Sequence, residues 1–546
     1  MAKICLCLTG KTINRNLEIL NKYRKFYDLA ELRVDCLDSD ERLNIRRFPE
    51  LAGVPVILTI RRDVDGGYFT GGEGARVRLL ANGLAYANAD RRFNFAYIDI
   101  EDDFDVPSLE EAARTFGTRI IRSFHDINGV IDDIPAKIKS MKRAGDEIVK
   151  VACSVKSTND VIKMFQASRE FVNQEKILIC MGHLGIYSRI LADRFGSFLT
   201  YANASSEIEA SGAPGQIDVC DLADLYRFRT ITKKTKVYGV VGYPLKASVS
   251  PWFFNTVFGL ENTDAVYIPF PVDSIKNFME LAMMLGIQGI SVTVPYKESV
   301  IPALSKRSAA VQSIGACNTV FRNGNEWAGD NTDCFGFSAS LLEFLGRKNL
   351  KHKKITIVGA GGVARSVASE IYRLGGKALI LNRSVHKAKN IASQYNFRWG
   401  GLSHNGGDSQ GLDLISRYND IIIQTTSVGL DGYDELDHQP VHKDKESSNQ
   451  KFETAGLNPG SSSHDPLELY SFTGNEDVMD LIYTPAVTPF LKRAAAAGCR
   501  TINGYDMVIR QACLQYSNFF GTEINQQLLK RINTMGENAW NQNRSG

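Results

Sequence analysis

The chain has 546 residues, more than one ordinary hydrophobic core sustains, so two to four domains are expected. Hydrophobic residues make up 44% and charged residues 23%, and the net charge of +3 comes without a basic block. That balance fits a soluble globular protein and gives no footing to nucleic acid or a membrane surface. The ten cysteines are scattered, with no C-x-x-C pair and no zinc-type spacing, which favours reduced thiols and a cytoplasmic location. A plastid location is the alternative if a transit segment has been removed.

In chain order, short apolar runs recur at ICLCLT (4–9), AELRVD (30–35), PVILTI (55–60), FAYIDI (95–100), RIIRSF (119–124), EIVKVA (147–152), KILICM (176–181) and FLTYAN (198–203). The first is too short for a signal peptide and reads as a strand. Eight such runs separated by helix-length connections predict a parallel (β/α)8 TIM barrel over residues 1–222. A basic, polar segment at 223–235 reads as a linker. A two-lobed α/β unit follows, with a first lobe at 236–340 and a Rossmann-type lobe at 341–486. Helices at about 487–525 complete the first of these lobes. Residues 431–475 turn polar and read as a long surface insertion.

Lys150 lies inside EIVKVACSV, where strand alternation puts Ile148, Lys150 and Ala152 on one face. Both faces of a barrel strand are covered. Such a lysine therefore either pairs with a carboxylate as internal glue or serves as a desolvated amine that attacks a ketone. His125 ends the fifth strand, where barrel active sites lie. Glu31, Arg33 and Asp35 share a face of the second strand, and Arg189 follows the seventh. An amine, an imidazole and arginine forks suit a carboxylated keto substrate. Asp99 and Glu101, at the end of the fourth strand, are candidates for orienting Lys150 or His125.

The pieces ELRVD (31–35), TIRRDVDGG (59–67), SFHD (123–126), IVK (148–150), MGHLGIYSR (181–189) and APGQ (213–216) together resemble type I 3-dehydroquinate dehydratases. The resemblance implies a Schiff base on Lys150 and proton transfer by His125. It also implies that Glu31, Arg33, Arg61, Asp65, Arg189 and Gln216 hold the substrate. Asp65 stands where the family usually has Glu, and Gly212 where it usually has Ser.

In the second half, Gly359-Ala360-Gly361-Gly362-Val363-Ala364 follows the strand ITIV and opens a helix. Glycines admit a pyrophosphate to the backbone, and the helix N-terminus supplies amide donors. The next strand ends in Asn382-Arg383-Ser384, then Lys387, rather than in the acidic residue of an NAD site. Those groups suit a 2′-phosphate, so NADP(H) is the expected cofactor. Upstream, polar residues cluster in GYPLKASVSP (242–251), GISVTVPYKES (289–299), IGACNTV (314–320) and GDNTDCFG (329–336). They suit a polyhydroxylated acid, with Lys297 and Asp333 as the catalytic pair.

These motifs resemble shikimate dehydrogenases over residues 236–521. The resemblance implies that Ser248, Ser250, Thr293, Asn318, Asp333 and Gln511 contact substrate. It places Tyr483 near substrate and nicotinamide and Gly504 on the nicotinamide side. Ser291, Ala247 and Phe254 depart from residues frequent in the family. Taken together, the chain is expected to dehydrate 3-dehydroquinate and then reduce 3-dehydroshikimate to shikimate, with no metal required. Two alternatives stay open at this point: another Schiff-base lyase of the class I aldolase kind in the first half, and quinate as substrate in the second.

Overall fold

The computed structural model describes residues 1–84, 90–207, 213–245, 248–402, 410–430 and 465–542. The chain forms two compact units, residues 1–290 with the C-terminal segment from Lys530, and residues 291–529.

In the first unit, eight parallel strands run β1 (Lys3–Leu8), β2 (Leu29–Arg33), β3 (Val56–Thr59), β4 (Tyr97–Glu101), β5 (Arg119–Asp126), β6 (Ile148–Ser154), β7 (Lys176–Met181) and β8 (Leu199–Asn203). Each of β2 to β6 pairs with both neighbours in sequence, β7 pairs with β6, and β1 pairs with both β2 and β8. A parallel bridge between Lys176 of β7 and Ser197, two residues ahead of β8, brings the two ends of the sheet together. The eight expected runs are thus eight staves, each shifted by no more than a few residues.

Alternation along the staves explains where the chemistry collects. One apolar cluster joins Cys5, Leu29, Ile57, Tyr97, Ile121, Ile148, Ile177 and Leu199, the inward residues of the lower ring. Two residues on, the same inward face carries Glu31, Thr59, Asp99, Ser123, Lys150 and Tyr201. The barrel is therefore a packed apolar plug beneath a polar mouth at the C-terminal ends of the strands.

A two-residue strand β9 (Ile217–Asp218) extends the barrel sheet beyond β8. Residues 221–230, where composition suggests part of a polar linker, form two short helical turns, and Arg229 pairs with Asp28 at 3.1 Å. β10 (Lys236–Gly242) then pairs in parallel with β11 (Ala265–Pro271) and lies beside β12 (Ile287–Val292). This segment packs on the barrel within the first unit. The Tyr187 ring lies 5.3 Å from that of Phe270. Asp273 accepts hydrogen bonds from the Thr158 amide at 2.7 Å and hydroxyl at 2.5 Å, and Arg194 donates to the carbonyls of Thr235 and Leu285.

In the second unit, β13 (Lys306–Arg307) pairs in parallel with β15 (Glu326–Asp330), which is antiparallel to β14 (Thr319–Asn323). The glycine turn belongs to a six-stranded sheet of β16 (Lys354–Val358), β17 (Lys377–Asn382), β18 (Arg398–Gly401), β19 (Ile421–Gln424), β20 (Asp477–Asp480) and β21 (Arg500–Ile502). Its order is β18-β17-β16-β19-β20-β21, with every pairing parallel. That is the doubly wound order whose switch point, between β16 and β19, opens a ligand crevice at the strand ends.

Residues 431–464 of the expected insertion lie outside the described residues. Its last part, 465–475, is not a surface loop throughout: Leu467 and Tyr470 are buried in the core under β19 and β20, and Arg493 holds Asp465 at 2.8 Å. Their apolar side chains outweigh the polar composition around them. Among the described residues, no helix is long and apolar enough to cross a membrane.

Gly185 shows how tightly the barrel loops are wound. A Cβ there would stand 2.2 Å from the Cys180 carbonyl oxygen. Gly185→Ala is expected to destabilise the first unit by at least about 2 kcal/mol. Calorimetry reads this as a lower unfolding temperature, and an unchanged one would show that the loop has room.

Candidate active sites

At the barrel mouth, Asp99 is the shared acceptor. Its Oδ2 takes a hydrogen bond from Lys150 Nζ at 2.7 Å. Its Oδ1 takes one from Ser123 Oγ at 2.6 Å and pairs with Arg61 Nη2 at 2.8 Å. Arg61 Nη1 reaches Glu101 at 2.5 Å and lies 3.3 Å from His125 Nδ1. Strand register makes this meeting possible: Asp99 lies on β4 one stave from Ser123, and Ser123 lies directly opposite Lys150 on β6. The Lys150 ammonium also sits 4.5 Å from the centre of the Tyr201 ring, in cation–π range.

Burial alone would raise the Asp99 carboxyl, but the Arg61 and Lys150 cations hold it well below the usual carboxylate range. Desolvation, aided by the same two cations, pushes the His125 imidazole well below its ordinary value. The histidine is therefore neutral at pH 7 and able to take a proton.

Around this core, Arg33 grips Asp35 through two hydrogen bonds, at 2.9 and 2.6 Å. Glu31 accepts from Thr59 Oγ1 at 2.9 Å and from the Cys7 thiol at 3.2 Å. Arg189 differs from both of these. Its Nη2 donates to the Pro214 carbonyl at 3.0 Å, while Nε and Nη1 are buried with no hydrogen-bond partner. Burial pulls its guanidinium down to about 10. Gln216 Oε1 and the Tyr201 hydroxyl are likewise buried without a partner. Buried polar atoms left in this state mark a place where a polar ligand belongs. Asp65 points elsewhere and pairs with Arg62 at 2.6 Å. Gly212, with Ser211 beside it, lies outside the described residues, as does Ala247.

In the second unit, Lys297 Nζ donates to Asp333 Oδ2 at 2.6 Å, with the two residues only 8% and 6% exposed. Asn318 Nδ2 donates to the other oxygen of Asp333 at 2.8 Å and lies 3.3 Å from Gln511 Oε1. The Asn318 side-chain oxygen accepts from the Thr332 amide at 2.8 Å, fixing which way the amide points. Thr332 and Asp333 open the helix Asp333–Leu345, and Gln511 projects from the helix Tyr505–Phe520. Ser291 donates to Gln515 at 2.7 Å, and Gln515 in turn donates to Thr319 at 3.0 Å. Four expected residues, Lys297, Asn318, Asp333 and Gln511, thus converge from four separate segments.

Thr293 lies partly exposed just ahead of Lys297 on the same segment. Ser248 and Ser250 belong to the first unit, at the start of the helix Ser250–Leu260, where Ser248 Oγ accepts from the Ser250 amide at 3.3 Å. Gly504 abuts the strand end that leads to Tyr483: its amide donates to the Ile482 carbonyl at 3.1 Å, and a Cβ would stand 2.1 Å from the Leu481 oxygen.

The glycine turn has the shape a pyrophosphate needs. Gly359 adopts φ 114°, and a Cβ there would meet Thr425 Oγ1 at 2.5 Å. Around a Cβ at Gly361 there is open space. That residue caps the helix Gly362–Arg373 without a side-chain hydrogen bond, so the first amides stay available. A Cβ on Gly362 would press on Lys297 Cδ at 3.2 Å, so this glycine lets the helix approach the lysine. Ala360 and Ala364 are buried and Val363 packs against the same core beneath the turn. Asn382 Nδ2 donates to the Ser384 carbonyl at 3.1 Å, which holds the bend after β17 and leaves Arg383 and Lys387 exposed beside it.

Sequence reasoning missed several participants. Tyr201 could have been found, because alternation from Leu199 turns it inward; Ser123 could have been found in the same way from His125. Thr332 and Gln515 carry no signal of their own, since their roles exist only once distant segments meet.

Residues 4–233 match the type I 3-dehydroquinase family, residues 240–320 the shikimate dehydrogenase substrate binding domain, and residues 343–428 the shikimate/quinate 5-dehydrogenase family. A relative described as the bifunctional 3-dehydroquinate dehydratase/shikimate dehydrogenase, chloroplastic, of Arabidopsis thaliana is 27% identical, spanning 97% of this chain and 84% of its own. The shikimate dehydrogenase (NADP(+)) of Methanocaldococcus jannaschii is 33% identical over 55% of this chain and 96% of its own. A solved shikimate dehydrogenase from Aquifex aeolicus, 28% identical, covers 55% of this chain and 98% of its own with a TM-score of 0.44. The chain belongs to the shikimate dehydrogenase family, and carries a type I 3-dehydroquinase domain ahead of it.

Proposed function

We propose that the chain catalyses two successive reactions, dehydration of 3-dehydroquinate to 3-dehydroshikimate in the barrel and reduction of that ketone to shikimate by the second half. The observation that carries the first is the convergence of Lys150, Asp99 and neutral His125 beside the unpartnered donors of Arg189.

In this reading the substrate carboxylate takes the free Nε and Nη1 of Arg189, and its hydroxyls engage Gln216, Glu31 and Arg33. Lys150 passes its ammonium proton to neutral His125 and the free amine attacks the ketone carbon; His125 returns the proton to the carbinolamine hydroxyl, which leaves as water and gives an iminium. His125 removes the proton from the adjacent carbon, and the electron pair moves into the iminium. The enamine then expels the β-hydroxyl, which leaves as water with the proton that His125 returns. Hydrolysis of the conjugated imine frees 3-dehydroshikimate and restores the amine. Asp99 keeps its charge throughout and steadies the cationic nitrogen.

In the second half, bound NADPH would supply a hydride to the carbonyl carbon. The open cradle at Gly361, the uncapped helix and the exposed Arg383 and Lys387 fit its pyrophosphate and 2′-phosphate. Asn382 and Ser384 shape that bend, and Tyr483 and Gly504 line the nicotinamide side. Lys297 donates a proton to the alkoxide as it forms, and Asp333 holds the lysine in line. Asn318, Gln511, Thr293, Ser248 and Ser250 bind the ring hydroxyls and carboxylate. Asp65 contributes from the barrel loop once released from Arg62. A cytoplasmic location, with the plastid as alternative, accompanies this reading.

Lys150→Ala is expected to lower dehydratase turnover by more than about a thousandfold while leaving shikimate oxidation intact, and Asp333→Asn to do the reverse. Rates for both reactions, measured on each variant, check the division; wild-type rates in both would refute it. Borohydride added with 3-dehydroquinate should leave a stable adduct on the peptide containing Lys150, and an adduct elsewhere would overturn the imine. His125 should titrate below its usual 6.5, so its imidazole NMR signals should hold their neutral positions from pH 8 down to 6.5. Below that value the unfolded chain takes up a proton that the native site resists, so His125 subtracts stability as pH falls. His125→Gln should flatten that loss.

A further inference from the structure

A cavity of about 400 Å³ lies in the first unit, away from the barrel mouth, where the helix Thr158–Glu170 and the start of β7 meet the segment before β10 and the end of the helix Ile275–Met284. Four of its lining residues are cations, Arg169, Lys176, Arg194 and Lys233, and none is acidic. Phe165, Val172, Met284 and Leu285 supply an apolar wall. We propose that this cavity is a binding site for a small organic anion carrying an apolar ring, held at the joint between the barrel and the strands that follow it.

The cations are not satisfied among themselves. Lys176 is only 1% exposed and its ammonium has a single neutral acceptor, the Phe171 carbonyl at 2.6 Å. Burial, with the Lys233 charge nearby, pulls it down to about 8. Arg194 spends both terminal nitrogens on the carbonyls of Leu285 and Thr235, which leaves its buried Nε without a partner. Like charges gathered against an apolar wall repel one another and the buried Lys176 ammonium is poorly hydrated, and an incoming anion relieves both costs. Phosphate or carboxylate heads suit the two exposed cations, Arg169 and Lys233. The phenyl and aliphatic groups opposite select against a bare inorganic ion. The site is remote from Lys150 and Lys297 in function: none of its lining residues takes part in either reaction above.

The probe is phenylphosphate, titrated calorimetrically into the full chain, with inorganic phosphate as the comparison. Saturable binding of phenylphosphate is expected, weakened about tenfold or more in the Arg169→Ala/Lys233→Ala double variant. Both positions are exposed, so that variant should fold. Met284→Glu, which sets an acid against the site, should abolish binding while both turnover rates stay as in the wild type. Three results would overturn the proposal: no saturable binding, equal affinity in the wild type and the double variant, or inorganic phosphate binding as tightly as phenylphosphate.

Discussion

The barrel site depends on one buried carboxylate. Asp99 accepts from Lys150, Ser123 and Arg61 together, and each of those donors would be costly without it. Removing one partner from such a buried network typically costs about 3–5 kcal/mol, because the remaining charge is stranded. Asp99 thus resolves the choice posed by a lysine in a strand. The ion pair that acts as internal glue is also what keeps the amine aimed and its neighbourhood dry. Arg61 spreads the same field to His125, whose neutrality follows first from burial and then from facing two cations.

The second half solves a similar problem with weaker means. Asp333 is held by Lys297 on one oxygen and Asn318 on the other, and Asn318 is oriented by the Thr332 backbone. Both sites therefore pair a lysine with an aspartate, yet the aspartate has different neighbours. In the barrel, beyond the lysine, they are the Arg61 cation, which helps keep it charged, and the Ser123 hydroxyl. In the second unit the neighbour beyond the lysine is the Asn318 amide, which directs the carboxylate without adding charge.

Much of this was legible in the residues alone. The eight staves followed from apolar runs, because strands covered on both faces must be apolar almost throughout. The inward direction of Lys150 followed from period-two alternation, and the glycine turn from its place between a strand and a helix. The lysine–aspartate pair of the second half was legible as a pairing of residues from two polar motifs 36 positions apart; their 2.6 Å contact is a product of folding. Composition misled at 465–475, where Leu467 and Tyr470 carry more energetic weight than the polar residues around them. Asp65 shows the opposite limit: its motif suggests a substrate contact, while the nearest guanidinium, Arg62, takes the carboxylate.

The seam between the barrel and the strands after it has a consequence for how such a chain can be made. Tyr187 meets Phe270 there, Thr158 leans on Asp273, and Arg194 reaches across to two backbone carbonyls. A gene split after residue 222 would bare Tyr187 on the barrel and Phe270 on the second product, and would take Asp273 from Thr158, although the helix there keeps its Ser157 cap. Both pieces would carry the sticky surface that chaperones and aggregates recognise. Covalent fusion here thus keeps the two faces of the seam together from the moment they are made.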